Sequence, residues 1–75
     1  MDGVDVKYRV NCWTKIWGGS EMKAYYFDDF DDADKFFKKS KKNRQYEVVE
    51  LIATIYESDG DFWEKELRHY SRMFR

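Results

Sequence analysis

The stretch Val4-Asp5-Val6-Lys7-Tyr8-Arg9-Val10-Asn11-Cys12-Trp13-Thr14-Lys15-Ile16-Trp17 alternates strictly between two sides. Val4, Val6, Tyr8, Val10, Cys12, Thr14 and Ile16 fall on one side, and Asp5, Lys7, Arg9, Asn11, Trp13, Lys15 and Trp17 on the other. A period of two is that of a strand with one buried face, because successive side chains point to opposite sides of a sheet. Gly18-Gly19-Ser20 then breaks the pattern with residues suited to the positive φ of a tight turn. Met22, Ala24 and Tyr26 continue the apolar side in Glu21 to Phe27. This predicts a hairpin whose opposite face shows Lys23, Tyr25 and Phe27.

Past this hairpin the period changes. Ala33, Phe36, Phe37 and Ser40 are spaced for one face of a helix between Asp28 and Arg44, with Asp31 as its N-cap and Asp34 three residues on. Aspartates crowd residues 28–34 and lysines and an arginine crowd residues 35–44, an order that complements the helix dipole at both ends. Tyr46 to Tyr56 is rich in β-branched and aromatic residues on both faces, as in a central strand.

The last segment, Phe62 to Phe74, reads in two ways. A hairpin through Asp59-Gly60 pairs Tyr56 with Trp63, Thr54 with Lys65, Ile52 with Leu67 and Glu50 with His69. A helix capped by Asp61 instead gathers Phe62, Trp63, Glu66, Leu67, Tyr70 and Met73 on one face. The expected fold class is therefore α+β: an antiparallel sheet with one helix packed on one face, in the order β-β-α-β. Residues 62–74 add a fourth strand or a second helix. Phe36 and Phe37 are expected to pack on the side of Val6, Val10 and Met22.

Seventy-five residues make one domain, near the size at which a single core supplies only about 3 to 5 kcal/mol of net stability. With 43% hydrophobic and 39% charged residues the chain is too apolar for a disordered segment. No apolar run approaches the roughly 20 residues that cross a bilayer, and Met1 to Asp5 lacks the basic start of a signal peptide. A lone cysteine, Cys12, forms no internal disulfide, so a reducing cytoplasm is the expected location. Fourteen basic and fifteen acidic side chains give a net charge of −1, and no global field draws the chain to nucleic acid or membrane. Any electrostatic binding must come from a local patch.

No catalytic signature is visible. Asp28-Asp29-Phe30-Asp31-Asp32-Ala33-Asp34 fails as a calcium loop, since Ala33 and Asp34 stand where an oxygen ligand and a glycine are required. It reads as a helix cap, with mimicry of nucleic-acid phosphates as a second use. Cys12 and His69 are the sole candidates for a nucleophile and base, and Cys12 is expected on the core side of its strand. One cysteine and one histidine do not make a four-ligand zinc site. Neither a metal nor a cofactor is expected.

One residue in five is aromatic, and several aromatics share a strand face with cations. The expected partner-binding residues are Lys7, Arg9, Trp13, Lys15, Trp17, Tyr25 and Tyr56, accompanied by Lys23 and Ile52. Trp, Tyr and Arg are the residue types that anchor protein interfaces. Hence the leading expectation is a non-enzymatic interaction module, anchored by Trp13, Trp17 and Tyr56, that binds a protein partner. The alternative is a single-strand nucleic-acid binder that stacks bases on these aromatics and holds phosphates with Lys7, Arg9 and Lys15. A second copy of the chain, in a homodimer, is a further candidate to cover the face.

Tyr25-Tyr26-Phe27-Asp28-Asp29-Phe30 leads into Ala33, Phe36 and Phe37, with a tight hairpin before it and a β-rich strand after it. In size and layout, as far as Tyr56, the chain resembles small phage-encoded or mobile-element accessory proteins, anti-CRISPR inhibitors among them. That resemblance implies inhibition by binding a host protein, including one that itself binds nucleic acid, and assigns no binding residue. The RNP signature and strand order of an RRM are absent.

Overall fold

The alternating stretch folds as strand β1 (Asp5–Ile16), which turns back at once into β2 (Gly19–Phe27). Helix α1 (Phe30–Lys41) follows, then β3 (Tyr46–Tyr56) and β4 (Phe62–Ser71). The computed structural model describes residues 4–72, so expectations resting on Met1 to Gly3, Met73 and Phe74 lie outside the described residues. The four strands form one sheet in the order β2-β1-β3-β4, with every pairing antiparallel. The expected α+β class holds. Among the described residues, no helix is long and apolar enough to cross a membrane.

Residues 62–71 form a strand, not a second helix. Asp59-Gly60 decides this locally: Gly60 takes φ +95°, and its N–H donates to the Glu57 carbonyl at 3.1 Å. The Asp61 N–H donates to Asp59 Oδ1 at 3.0 Å, and the Glu57 N–H closes the loop onto the Asp61 carbonyl at 2.8 Å. With the turn set, β4 satisfies backbone groups along the edge of β3 that a helix would leave unpaired.

The core holds Val10, Cys12, Ala33, Phe37, Val49 and Leu51, with Tyr8, Tyr25, Phe27, Phe30, Phe36, Tyr46 and Tyr70 packed around it. Aromatic rings pin the helix at its first residue and at its middle. Tyr8 meets Phe30 edge-on at 5.7 Å, while Phe36 lies 4.7 Å from Tyr25 and 5.4 Å from Phe27. Such pairs contribute about 0.5 to 1.5 kcal/mol each beyond the area they bury.

Three expectations are corrected. The first hairpin turns on two residues, Trp17-Gly18, with Ile16 opposite Gly19. Gly18 takes φ +87°, as a turn of type II requires at its third position. A two-residue connection puts even positions of β1 opposite odd positions of β2, so Val10 faces Tyr25 and Trp13 faces Met22. Tyr25 and Phe27 therefore join the core, and Met22, Ala24 and Tyr26 lie on the other face, where Met22 and Tyr26 are exposed. Helix α1 begins earlier than expected: its N-cap is Asp29, not Asp31, and Asp29 Oδ2 accepts the Asp32 N–H at 3.3 Å. In the second hairpin Tyr56 pairs with Phe62 and Thr54 with Glu64, one residue off the expected register. An irregularity between Leu51 and Ile52, with Leu67 as the extra residue of β4, restores the expected pairing of Glu50 with His69.

Candidate interaction face

The face turned away from the core is built in rows across the strands. Arg9 stands between Tyr26 and Ile52, Asn11 between Ala24 and Glu50, and Trp13 between Met22 and Val48. Cross-strand neighbours in such rows are about 5 Å apart at Cβ and form a continuous surface. Lys7, Arg9, Trp13 and Lys15, all expected on one face, do share it, and Ile52 and Tyr56 fall on the same side by register.

Three expected residues stand apart from that group. Tyr25, and with it Lys23, points to the opposite face because of the two-residue turn, and the Tyr25 ring packs on Phe36. Trp17 occupies the turn itself and is 99% exposed at the hairpin tip. Tyr56 pairs with Asp5, whereas Val48 pairs with Trp13, so Tyr56 lies roughly 27 Å along the strand from the Trp13 row at 3.4 Å per residue. Its ring meets Phe62 at 6.0 Å instead. Trp13 and Tyr56 thus belong to two patches at opposite ends of one face.

The cations of this face are mostly engaged. Lys7 Nζ donates to Asp28 Oδ1 at 2.9 Å and lies 3.8 Å from Asp5, and the bond to Asp28 holds its ammonium above the ordinary lysine range. Arg9 makes a forked pair with Glu64, at 3.0 and 3.4 Å, and Thr54 Oγ1 donates to the same carboxylate at 3.5 Å. Lys15 has no ion pair among the described residues. Beside it opens a concavity of about 410 Å³ lined by Trp13, Gly19, Ser20, Glu47, Val48 and Glu50 as well. Met22 and Tyr26 were missed from the sequence, and the signal that locates them is the length of the turn. Together with exposed Trp17 at the hairpin tip and half-buried Trp13 of β1 they form an apolar strip on this side of β2.

On the core side, a second concavity of about 370 Å³ lies at the helix C-terminus, between Tyr25, Tyr46, Lys39 and Lys42. The Tyr25 hydroxyl and burial together push the Tyr46 phenol up to about 12, so it stays neutral at pH 7. Cys12 is buried, and burial pushes its thiol up, against a smaller pull from Ser40. His69 lies on the other face, so these two do not form a nucleophile and base pair. Compared with known proteins, the chain matches no family model, no curated protein and no solved structure.

Proposed function

We propose that this chain is a non-enzymatic protein-interaction module, a small inhibitor or adaptor of the phage-encoded, anti-CRISPR-like kind. It docks the Trp13, Met22 and Tyr26 strip on a host protein, with Trp17 reaching forward from the hairpin tip. The observation that carries this reading is an apolar strip, exposed at Met22, Tyr26 and Trp17 and half-buried at Trp13, beside cations that already have carboxylate partners. An apolar anchor rimmed by polar groups is the usual anatomy of a protein interface. The alternative, a single-strand nucleic-acid binder, requires Lys7 and Arg9 to release Asp28 and Glu64 before they hold phosphates, which offsets part of the gain from each contact.

The test is affinity capture from host lysate, with and without nuclease, using the parent chain and the Trp13→Ala, Met22→Ala double variant. Retention of one protein that survives nuclease and disappears with the double variant supports the reading. Retention that the double variant leaves intact sinks the proposed face. Loss of everything on nuclease treatment favours nucleic acid, and its affinity should then fall by roughly 0.7 log unit per phosphate contact for each log unit of salt.

A further inference from the structure

Three side chains with metal-ligating atoms meet on the open face, one row from Trp13. Glu50 of β3 stands directly opposite His69 of β4, and the extra residue Leu67 brings Glu66 round to the same side. His69 Nδ1 lies 2.8 Å from Glu66 Oε2 and 3.4 Å from Glu50 Oε2, and the ligand atoms of all three residues lie within 4.8 Å of one another. Ligands about 2.0 to 2.2 Å from one zinc ion in a tetrahedron are about 3.3 to 3.6 Å apart. The three donors are thus within small side-chain adjustments of a single ion.

A second observation lies in the same row of the sheet. Asn11 is next in the row, directly opposite Glu50, and is only 4% exposed. Its Oδ1 is buried and has no hydrogen-bond donor among the described residues. A buried acceptor without a donor is costly, and its neighbour in the row is a carboxylate, which has no proton to offer at neutral pH. A cation, or a water molecule held by one, satisfies such an oxygen.

We propose that Glu50, Glu66 and His69 bind one divalent cation of the zinc class, with the Asn11 carbonyl oxygen serving the ion or the water it holds. One imidazole nitrogen with two carboxylate oxygens suits a borderline ion, whereas magnesium and calcium take oxygen donors throughout. Three protein ligands leave a fourth position for water or for a donor from another molecule. Glu50 also lines the Trp13 concavity, so that position adjoins the apolar strip. The inference rests on the cluster and on Asn11, and stands whether or not the strip binds a protein.

Calorimetric titration of metal-free protein with zinc chloride at pH 7 tests it, with cobalt(II) as a second probe read by visible absorption. The expected result is one ion per chain and a cobalt spectrum of low-coordinate type. His69→Ala and Glu66→Gln should each weaken binding about ten-fold or more, with unchanged far-ultraviolet circular dichroism, since both side chains are exposed. Asn11→Ala should weaken zinc binding without lowering the melting temperature of the metal-free protein, because it removes an acceptor that has no donor. Zinc affinity unmoved by both His69→Ala and Glu66→Gln overturns the site. Loss of binding only when Asp31 and Asp32 are neutralised overturns it as well, by moving the ion to the helix start. Zinc affinity unmoved by Asn11→Ala overturns the proposal too, since it gives that oxygen to the ion or to the water it holds.

Discussion

Phe37 and Asn11 show how differently single side chains contribute to this molecule. Phe37 is 3% exposed and joins Ala33 of its own helix to Val10, Val49 and Leu51 of the sheet. Its replacement by alanine should cost about 3 to 5 kcal/mol, from lost burial and the cavity left behind. That is comparable to the whole net stability of a domain this small. Phe37→Ala is therefore expected to be largely unfolded at 25 °C, with a urea transition that has lost its native baseline. A variant with an unchanged transition midpoint would show that the helix is not held by this contact. Asn11 is buried to nearly the same degree but carries an oxygen without a donor. Such an exception in a native interior calls for a donor, water or ion to satisfy the oxygen. Tyr25 and Tyr26 make the same point about faces: one lies in the aromatic layer against Phe36, and the next in sequence is 74% exposed on the other side.

At the scale of elements, the helix and the first turn each depend on one residue outside the hydrophobic pattern. Asp29 precedes the first helical residue, and its carboxylate takes up an N–H that has no partner within the helix. Asp29→Ala should destabilise the chain by about 1 kcal/mol, measured as a shift in urea midpoint, whereas Asp31→Ala should have a smaller effect. The reverse order of effects would move the cap back to Asp31. The other end of the helix is held from a distance. Arg72 Nη2 donates to the Lys41 and Asn43 carbonyls, both at 3.1 Å, and its Nε donates to the Tyr46 carbonyl at 3.1 Å. The lysines of the last turn complement the dipole, as the sequence order suggested; the Lys42 N–H bonds the Lys39 and Ser40 carbonyls, and Arg72, just past β4, takes the Lys41 carbonyl. At Gly18 an added Cβ would meet nothing within 4 Å, so Gly18→Ala should act only through its positive φ. The expected cost is on the order of 1 kcal/mol by the same measurement, and a neutral result would mean that the turn has another conformation available.

For the whole molecule, a pair that spans helix and sheet contributes to the response to acid. Arg68 of β4 donates to Asp34 of α1 at 2.7 Å, and Lys38 lies 3.2 Å from the other carboxylate oxygen. Burial pushes the Asp34 carboxyl up, but the bonds from Arg68 and Lys38 outweigh it and hold the group below its ordinary range. A depressed carboxyl stabilises the fold above the unfolded-state value of about 3.9, and loses that contribution as pH falls through its lower folded-state value. Asp34→Asn should thus be less stable than the parent at pH 7, by no more than about 1 kcal/mol for a pair this near to solvent. The difference should shrink below pH 4, which urea titrations at pH 7 and pH 3 would show. An equal difference at both pH values would mean that the effect is not the carboxylate's charge.

Much of the architecture was legible because it is written in local patterns. The period of two in residues 4–17, the shift in period near Ala33 and the glycine turns each act over a few residues, where propensity and backbone sterics dominate. The buried helix positions Ala33, Phe37 and Ser40 were visible in the same way. The candidate face was only half legible. Lys7, Arg9, Trp13 and Lys15 follow from alternation within one strand, but their neighbours depend on register.

By itself, then, the sequence determined the order of the first two strands, the helix and the third strand, and which side of β1 is apolar, but not the residues at which the helix and the first turn begin. Only the tertiary structure decided which side of β2 joins that core, because one residue more or less in a turn inverts every side chain beyond it. The same holds for the row Asn11, Glu50 and His69, assembled from three strands by two pairings and an extra residue in the last. Its members are far apart in sequence, and no pattern within a single strand reports that they meet.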